Sequence, residues 1–168
     1  MKESYNEFLR MCSLFHNYRM EYCVLNIPAD DTPECYAKIL ARCDLVKEFH
    51  NILTREGYNA TQGHRQSNDT RAVPPVDYKG NGTHIELLEC LTGGRKGKTF
   101  VSDGMKIVQG AEMEGSFYRP NKNDEVKLLL LQLVSNVEDF IPIKERLEKV
   151  LPQAGETECL KSLRNMFG

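Results

Sequence analysis

The sequence lacks the features that would place a protein in a membrane or outside the cell. No apolar run approaches the roughly eighteen residues of a membrane span. The segment Met1–Arg10 holds four charged side chains and no apolar run of signal-peptide length. We therefore expect a cytoplasmic protein with no membrane partner.

Patterns for metal binding, disulfides and nucleic-acid attraction are also missing. The six cysteines are scattered without a CxxC pair, and isolated cysteines in a reducing compartment are usually small buried hydrophobes. We expect all of them to be free structural thiols. The formal net charge of -2 provides no overall attraction for nucleic acid, so any phosphate contact must come from a local basic patch.

The chain has the size and composition of one folded domain. Its 168 residues include 40% hydrophobic and 27% charged side chains, which is typical of a globular domain with a substantial core. We expect a single domain over 1–168. In it, 1–120 form an α/β core and 121–168 form C-terminal helices packed on that core.

Apolar periodicity in the first third predicts two helices and two strands. A capping box at 4–7 precedes apolar residues at helical spacing. The runs 21–27 and 36–41 are short and rich in β-formers, which is typical of buried strands. Asp44 is in position to cap a second helix that Gly57 ends.

The middle of the chain reads as an antiparallel meander. Between 58 and 108 the helical period disappears, and turn signals such as Asn81-Gly82 separate runs rich in β-formers. The clearest strand is Thr83–Leu91, which has polar side chains on one face.

Helical spacing returns after Pro120. Asn123 or Asp124 can cap the first helix there, and two more helices are expected over 138–151 and 156–166. The order of elements predicts an α+β fold. We expect a mixed or antiparallel sheet flanked by an N-terminal and a second helix, with a C-terminal helical bundle segment.

The segment Thr92–Thr99 ends in Gly-Lys-Thr like a P-loop, but the match fails on spacing. A P-loop needs a glycine where Thr92 stands, and a helix must follow where 100–104 read as a strand and a turn. We interpret the segment as a solvated hairpin loop, and the alternative is a local basic patch that contacts phosphate or nucleic acid. Its candidate phosphate-binding residues are Arg95, Lys96 and Lys98.

The tripeptide His84-Ile85-Glu86 has the His-x-Glu form of zinc deaminases. The Pro-Cys-x-x-Cys partner of that chemistry is absent. His84 and Glu86 lie on the same side of the predicted strand, so we expect either a shared site or an exposed or hydrogen-bonded pair on a wet sheet face. No local signature selects a cysteine nucleophile.

In two stretches of the chain, the order of predicted elements is similar to that of a known protein family. Phe8–Tyr58 contains a helix, the Glu21–Leu25 strand, an acidic Pro-containing loop, the Tyr36–Ala41 strand and a helix that ends at Arg55–Tyr58. The second stretch consists of His84–Leu88, Phe117–Pro120 and a helix from Asp124. In this pattern, the chain resembles the nucleotidyltransferase-like proteins of the polymerase β superfamily.

The resemblance implies where a metal site would lie. In that family an Asp-x-Asp pair and a third carboxylate on a neighbouring strand hold magnesium, which binds a triphosphate and activates a hydroxyl group. Here the resemblance places Tyr36 and Lys38 at the aspartate positions and Glu86 at the third position. A second register supplies Asp44, with Arg42 two residues before it. The usual glycine-serine turn is absent.

We therefore expect a catalytically degenerate protein that binds a nucleotide, a nucleic acid end or a protein partner without nucleotidyl transfer. Glu86 and Asp44 are the catalytic candidates, and Glu86 is the candidate metal ligand. No cofactor is established; magnesium is expected only if the family activity is retained.

Two other functions are kept as alternatives. One is a non-enzymatic protein-interaction domain. A lower alternative is a glyoxalase-type metal-dependent enzyme, suggested by the Gly-x-x-Ile-Glu-Leu form of Gly82–Leu87, although the helical second half provides no second module.

Overall fold

The computed structural model describes residues 3–26, 28, 33–62, 73–95, 98–102, 104–135, 140–155 and 161. Within them, five strands form a mixed sheet and two strand pairs form small antiparallel sheets. Five α-helices accompany these sheets in the same residues. The fold class is α+β, as the sequence predicts.

The main sheet is built from β1 (Tyr22–Val24), β2 (Cys35–Ala41), β3 (Asn59–Gln62), β4 (Val76–Gly80) and β5 (Thr83–Leu88). Its strand order is β1-β2-β5-β4-β3. β2 and β5 run parallel, and every other neighbouring pair runs antiparallel. Since a tight turn cannot join parallel neighbours, the chain crosses over between β2 and β5.

Two helices, α1 (Glu3–Asn17) and α2 (Val46–Arg55), contribute buried apolar stripes to the main core, and a 3-10 turn at Cys43–Leu45 precedes α2. The stripes meet the inward side chains of the strands in that core. Its largest fully buried rings are those of Phe8, Phe15, Tyr22, Phe49 and Tyr78. Both helices and both strands predicted for the first third are confirmed.

Two predicted glycine-containing turns are also confirmed. Asn81 and Gly82 join β4 to β5 as a two-residue hairpin, with φ of 52° and 72°. Such a left-handed pair is what a type I′ turn needs. Gly57, with φ of 88°, follows the last turn of α2 and ends it.

A short helix interrupts the predicted meander. The elements after β5 are β6 (Leu91–Arg95), β7 (Lys98–Ser102), α3 (Met105–Gln109), β8 (Glu112–Glu114) and β9 (Phe117–Arg119). The prediction of strands up to residue 108 is wrong at α3. Gly104, in the left-handed conformation with φ of 66°, starts this helix. The helix is five residues long, too short for a helical period to show in the sequence.

The C-terminal part contains α4 (Lys122–Ser135), α5 (Phe140–Val150) and a 3-10 turn at Leu151–Gln153. Both helices were expected, whereas the helix predicted over 156–166 lies outside the described residues except for 161. α4 and α5 share a cluster of buried apolar side chains, namely Val126, Ile143, Leu147, Val150 and Ala154. No helix in the described residues is long and apolar enough to cross a membrane.

The helix caps differ from those predicted. Ser4 lies inside α1 and is buried. Asp44 precedes α2, but its carboxylate binds Arg42, and no side chain caps this helix. At α4 the side-chain oxygen of Asn121, not of a residue further on, accepts a hydrogen bond from the backbone N–H of Asp124. The side chains that commonly cap helices also form hydrogen bonds with other groups, so sequence spacing alone does not predict reliably which residue is the cap.

The described cysteines are free thiols, as predicted. They are five of the six, and all are buried except Cys43. Burial raises the pKa of Cys12 and of Cys23 to about 12. Neither is therefore a nucleophile at neutral pH. Cys159 lies outside the described residues.

Candidate functional site

One face of the main sheet, opposite the main core, carries a group of polar side chains. The parallel pairing of β2 with β5 sets Tyr36 opposite His84 and Lys38 opposite Glu86. The antiparallel pairing of β4 with β5 sets Asp77 opposite Glu86. Because side chains alternate along a strand, all of them point to one side of the sheet. We term Tyr36, Lys38, Asp77, His84 and Glu86 the polar cluster.

Glu86 is at the centre of the polar cluster. This residue is 8% exposed, and a buried carboxylate is stable only when its charge is compensated. The hydroxyl of Tyr36 donates a hydrogen bond to Oε2 of Glu86. The ammonium of Lys38 lies 3.2 Å from the same oxygen. Burial, together with this hydrogen bond, raises the pKa of Tyr36 well above its ordinary value, so the phenol stays protonated.

His84 binds Asp77 and not Glu86. Nε2 of His84 lies 2.7 Å from Oδ1 of Asp77, and the ring of His84 is 5.0 Å from that of Tyr36. The carboxylate of Asp77 thus orients the imidazole beside the phenol. His84 and Glu86 lie on the same face of the sheet, as predicted, but they do not form a hydrogen-bonded pair, because His84 bonds Asp77 of β4 instead.

Asn26 holds the backbone of β2 beneath the polar cluster. Its side-chain N–H donates to the carbonyl of Tyr36 at 2.8 Å, and its side-chain oxygen accepts from the N–H of Lys38 at 2.7 Å. These two bonds continue the pairing of β2 beyond the end of β1. They fix the position from which Tyr36 and Lys38 reach Glu86.

The same face of the sheet becomes apolar toward the end of β2. Leu40 and Leu88 follow Lys38 and Glu86 at a spacing of two and lie opposite each other. They join a second cluster, whose buried members are Cys23, Leu40, Leu91, Val108 and Leu128. α3 and α4 therefore close one end of the face.

The structure separates the two catalytic candidates. Asp44 is exposed in the 3-10 turn after β2 and forms two bonds to the guanidinium of Arg42, at 2.6 and 2.7 Å. This hydrogen bonding lowers the pKa of Asp44. None of its described contacts reaches Glu86. The side chains that do meet Glu86 are Tyr36 and Lys38, as in the first register of the resemblance.

The candidate phosphate-binding residues lie on a separate hairpin. The backbone register pairs Arg95 with Lys98 at the end of the β6–β7 pair, and Lys96 lies outside the described residues. β7 occupies the position where a P-loop would have a helix. The rejection of a P-loop is thus confirmed, whereas phosphate binding by this patch stays a prediction.

The polar cluster does not suit magnesium, the ion that the resemblance implies. An ammonium beside Glu86 repels a divalent cation, and Tyr36 offers a neutral phenol where a carboxylate is needed. Among the described residues, no three or more His, Cys, Asp or Glu side chains are gathered in a metal-binding arrangement. The residues present therefore do not fit this ion.

Sequence reasoning missed Asp77 and Asn26. Asp77 lies on a strand whose pairing places it next to Glu86, and Asn26 follows β1 by two residues. Both are common turn-forming residues, and neither stands in a motif. Only the sheet register could have identified them.

No protein-family model matches the chain, and no curated protein sequence matches it either.

Proposed function

We propose that this chain is a nucleotidyltransferase-like protein that binds a nucleotide without transferring a nucleotidyl group. Support comes from the placement of three side chains. The family pattern needs two positions at a spacing of two on one strand and a third on its neighbour. Tyr36, Lys38 and Glu86 stand in such positions on β2 and β5.

The observation that carries the proposal is the 3.2 Å contact between Nζ of Lys38 and Oε2 of Glu86. A fixed positive charge here takes the place of a metal ion. The ammonium has three N–H donors, its side chain is 30% exposed, and Glu86 occupies one direction. The remaining donors are available to the phosphate oxygens of a nucleotide, so binding needs no metal.

The test is calorimetric titration of ATP into the protein, in EDTA and again in magnesium. We expect equal affinity in both buffers. Replacing Lys38 by Met should weaken binding by about tenfold or more, because the loss of a charge-assisted hydrogen bond amounts to about 1.5–3 kcal/mol. The control is Lys47→Met, which removes an exposed lysine of α2 away from the polar cluster.

Two results would contradict this function. One is transfer from labelled nucleoside triphosphates in magnesium that disappears in Glu86→Ala, since it would reveal an active enzyme. The other is no thermal shift with ATP, whereas a ligand at a hundred times its dissociation constant stabilises by about 2.7 kcal/mol. That second result would favour the protein-interaction domain.

The geometry gives less support to a glyoxalase-type site. In that chemistry a glutamate binds the metal beside histidines. Here Glu86 is bonded to Tyr36 and Lys38, and His84 is turned to Asp77. The nucleic acid end and the protein partner remain wider candidates for the same face.

A further inference from the structure

A cavity of about 380 Å³ lies at the other end of the β1–β2 pair from Tyr36. It is partly open to solvent and is bordered by the end of α1, by β1, by α3 and by the β8–β9 hairpin. This volume falls within the range of small-molecule sites. The lining residues that the proposal uses are His16, Arg19, Met20, Tyr22, Val108 and Tyr118, and Glu21 also lines the cavity, with its carboxylate bound by Arg42.

Three rings form one wall of this cavity. His16 stacks on Tyr22 with a centroid distance of 5.8 Å and an interplanar angle of 22°. Tyr118 meets His16 edge-on at 5.2 Å and Tyr22 edge-on at 5.7 Å. The hydroxyl of Tyr22 also lies 2.9 Å from Nε2 of His16. The rings hold one another in place, so the wall is formed before any ligand arrives.

Arg19, at the cavity mouth, is held in an unfavourable backbone conformation. Its φ is 54°. The N–H of Arg19 donates to the carbonyl of His16, and that of Met20 to the carbonyl of Phe15, both at 2.9 Å. This is the helix-ending motif in which glycine is preferred at the left-handed position. An arginine here is disfavoured for folding.

The guanidinium of Arg19 also has no hydrogen bond or ion pair within the described part of the chain. A strained backbone with an unused cation fits a binding role better than a structural one. Met20 and Val108 add apolar surface to the same space. The cavity thus combines a rigid aromatic wall, an apolar lining and one available positive charge.

We propose that this cavity binds a small planar aromatic anion, with its ring against His16 and Tyr118, which Tyr22 supports from the core, and its acidic group on Arg19. Stacking and cation–anion pairing are the two contacts that these side chains offer. The site is separate from the polar cluster and does not depend on the nucleotide-binding function.

Indole-3-acetate is the probe, and indole-3-ethanol is its uncharged counterpart of similar shape. The protein contains no tryptophan, so indole fluorescence reports the ligand alone. We expect the anion to bind about fivefold more tightly than the alcohol, which is the effect of one partly exposed ion pair. Arg19→Gly should remove this preference, and Arg19→Lys should retain part of it.

If Arg19 served only to stabilise the fold, Arg19→Gly would lower the midpoint of thermal unfolding. We expect this midpoint to rise by about 2–4 °C instead, because glycine relieves the left-handed strain. Loss of binding in a variant that is more stable cannot be due to misfolding. Lys38→Met should leave the affinity for indole-3-acetate unchanged, which separates this site from the polar cluster.

Three outcomes would overturn the proposal: no binding of indole-3-acetate at millimolar concentration, equal affinity for the acid and the alcohol, or unchanged affinity for the acid in Arg19→Gly.

Discussion

At the scale of single residues, the important side chains are held by partners on neighbouring strands. Glu86 is compensated by two residues of β2, and His84 is oriented by Asp77 across the β4–β5 pair. The resemblance implied that Glu86 would lie near Tyr36 and Lys38. It did not predict that these two would bond the carboxylate directly, because such contacts depend on side-chain rotamers.

His16 should make the stability depend on pH. Burial lowers the pKa of His16 below its ordinary value of 6.5, so the folded protein favours the neutral ring. The unfolded chain binds the proton more readily, and this contribution to stability is therefore lost as the pH falls from 6.5 toward the lower, folded pKa.

The measurement is the urea midpoint as a function of pH for the wild type and for His16→Gln. Glutamine can still hydrogen-bond the hydroxyl of Tyr22 but does not titrate. We expect the variant to lose part of the acid-side decline. Superimposable profiles would show that His16 is not responsible for it.

At the scale of elements, long periodic helices were predictable and short ones were not. α1 and α2 have clear apolar stripes, and the Asn81-Gly82 hairpin has its own turn signature. α3 has neither. It forms where Gly104 turns the chain and where Val108 is buried in the second cluster. Tertiary burial decided the conformation of this segment.

Gly104 should tolerate no side chain. Its φ is 66°, and a Cβ there would lie 2.6 Å from Cδ2 of Leu40. Gly115 has nearly the same φ, 68°, but nothing within 4 Å of the added atom. We expect Gly115→Ala to destabilise by about 1 kcal/mol from backbone strain alone. Gly104→Ala should destabilise by about 2–4 kcal/mol because overpacking is added. Equal losses in urea unfolding would refute a clash with Leu40.

At the scale of the whole molecule, a buried ionic group joins the sheet to the C-terminal helices. Nη1 of Arg119 donates to the carbonyls of Val24 and Asn26 at 2.8 and 2.7 Å. Its Nη2 lies 3.2 Å from Glu125 of α4. Arg146 of α5 binds the same carboxylate, with Nη2 to Oε1 at 2.5 Å. β1, β9, α4 and α5 thus meet around the carboxylate of Glu125 and the two arginines that bind it.

Breaking this pair should destabilise the whole protein. The side chains of Arg119 and Glu125 are only 4% and 5% exposed. Glu125→Leu leaves the buried guanidinium of Arg119 without this carboxylate, so it should lower the free energy of unfolding by about 3 kcal/mol or more. Arg119→Met should cost less, because Arg146 still compensates the charge of Glu125. The double variant should lose clearly less than the sum of the two. Additive losses in a double-mutant cycle measured by urea unfolding would exclude direct coupling.

The sequence by itself determined the α+β class, the helices α1 and α2, the strands β1 and β2, and the position of the type I′ turn. Those features follow from local periodicity and from glycine or asparagine at left-handed positions, and both signals depend only on residues that are close in the sequence. It also indicated Glu86 as the acid to examine.

Only the tertiary structure decided which side chains surround that acid. The parallel register of β2 and β5 placed Lys38 and Tyr36 on Glu86, and the β4–β5 register brought Asp77 to His84. The same packing left Asp44 with Arg42 and closed a cavity around His16, Tyr22 and Arg19. Strand register and helix packing arise from contacts between distant segments, so the pattern within any one segment is not enough to specify them.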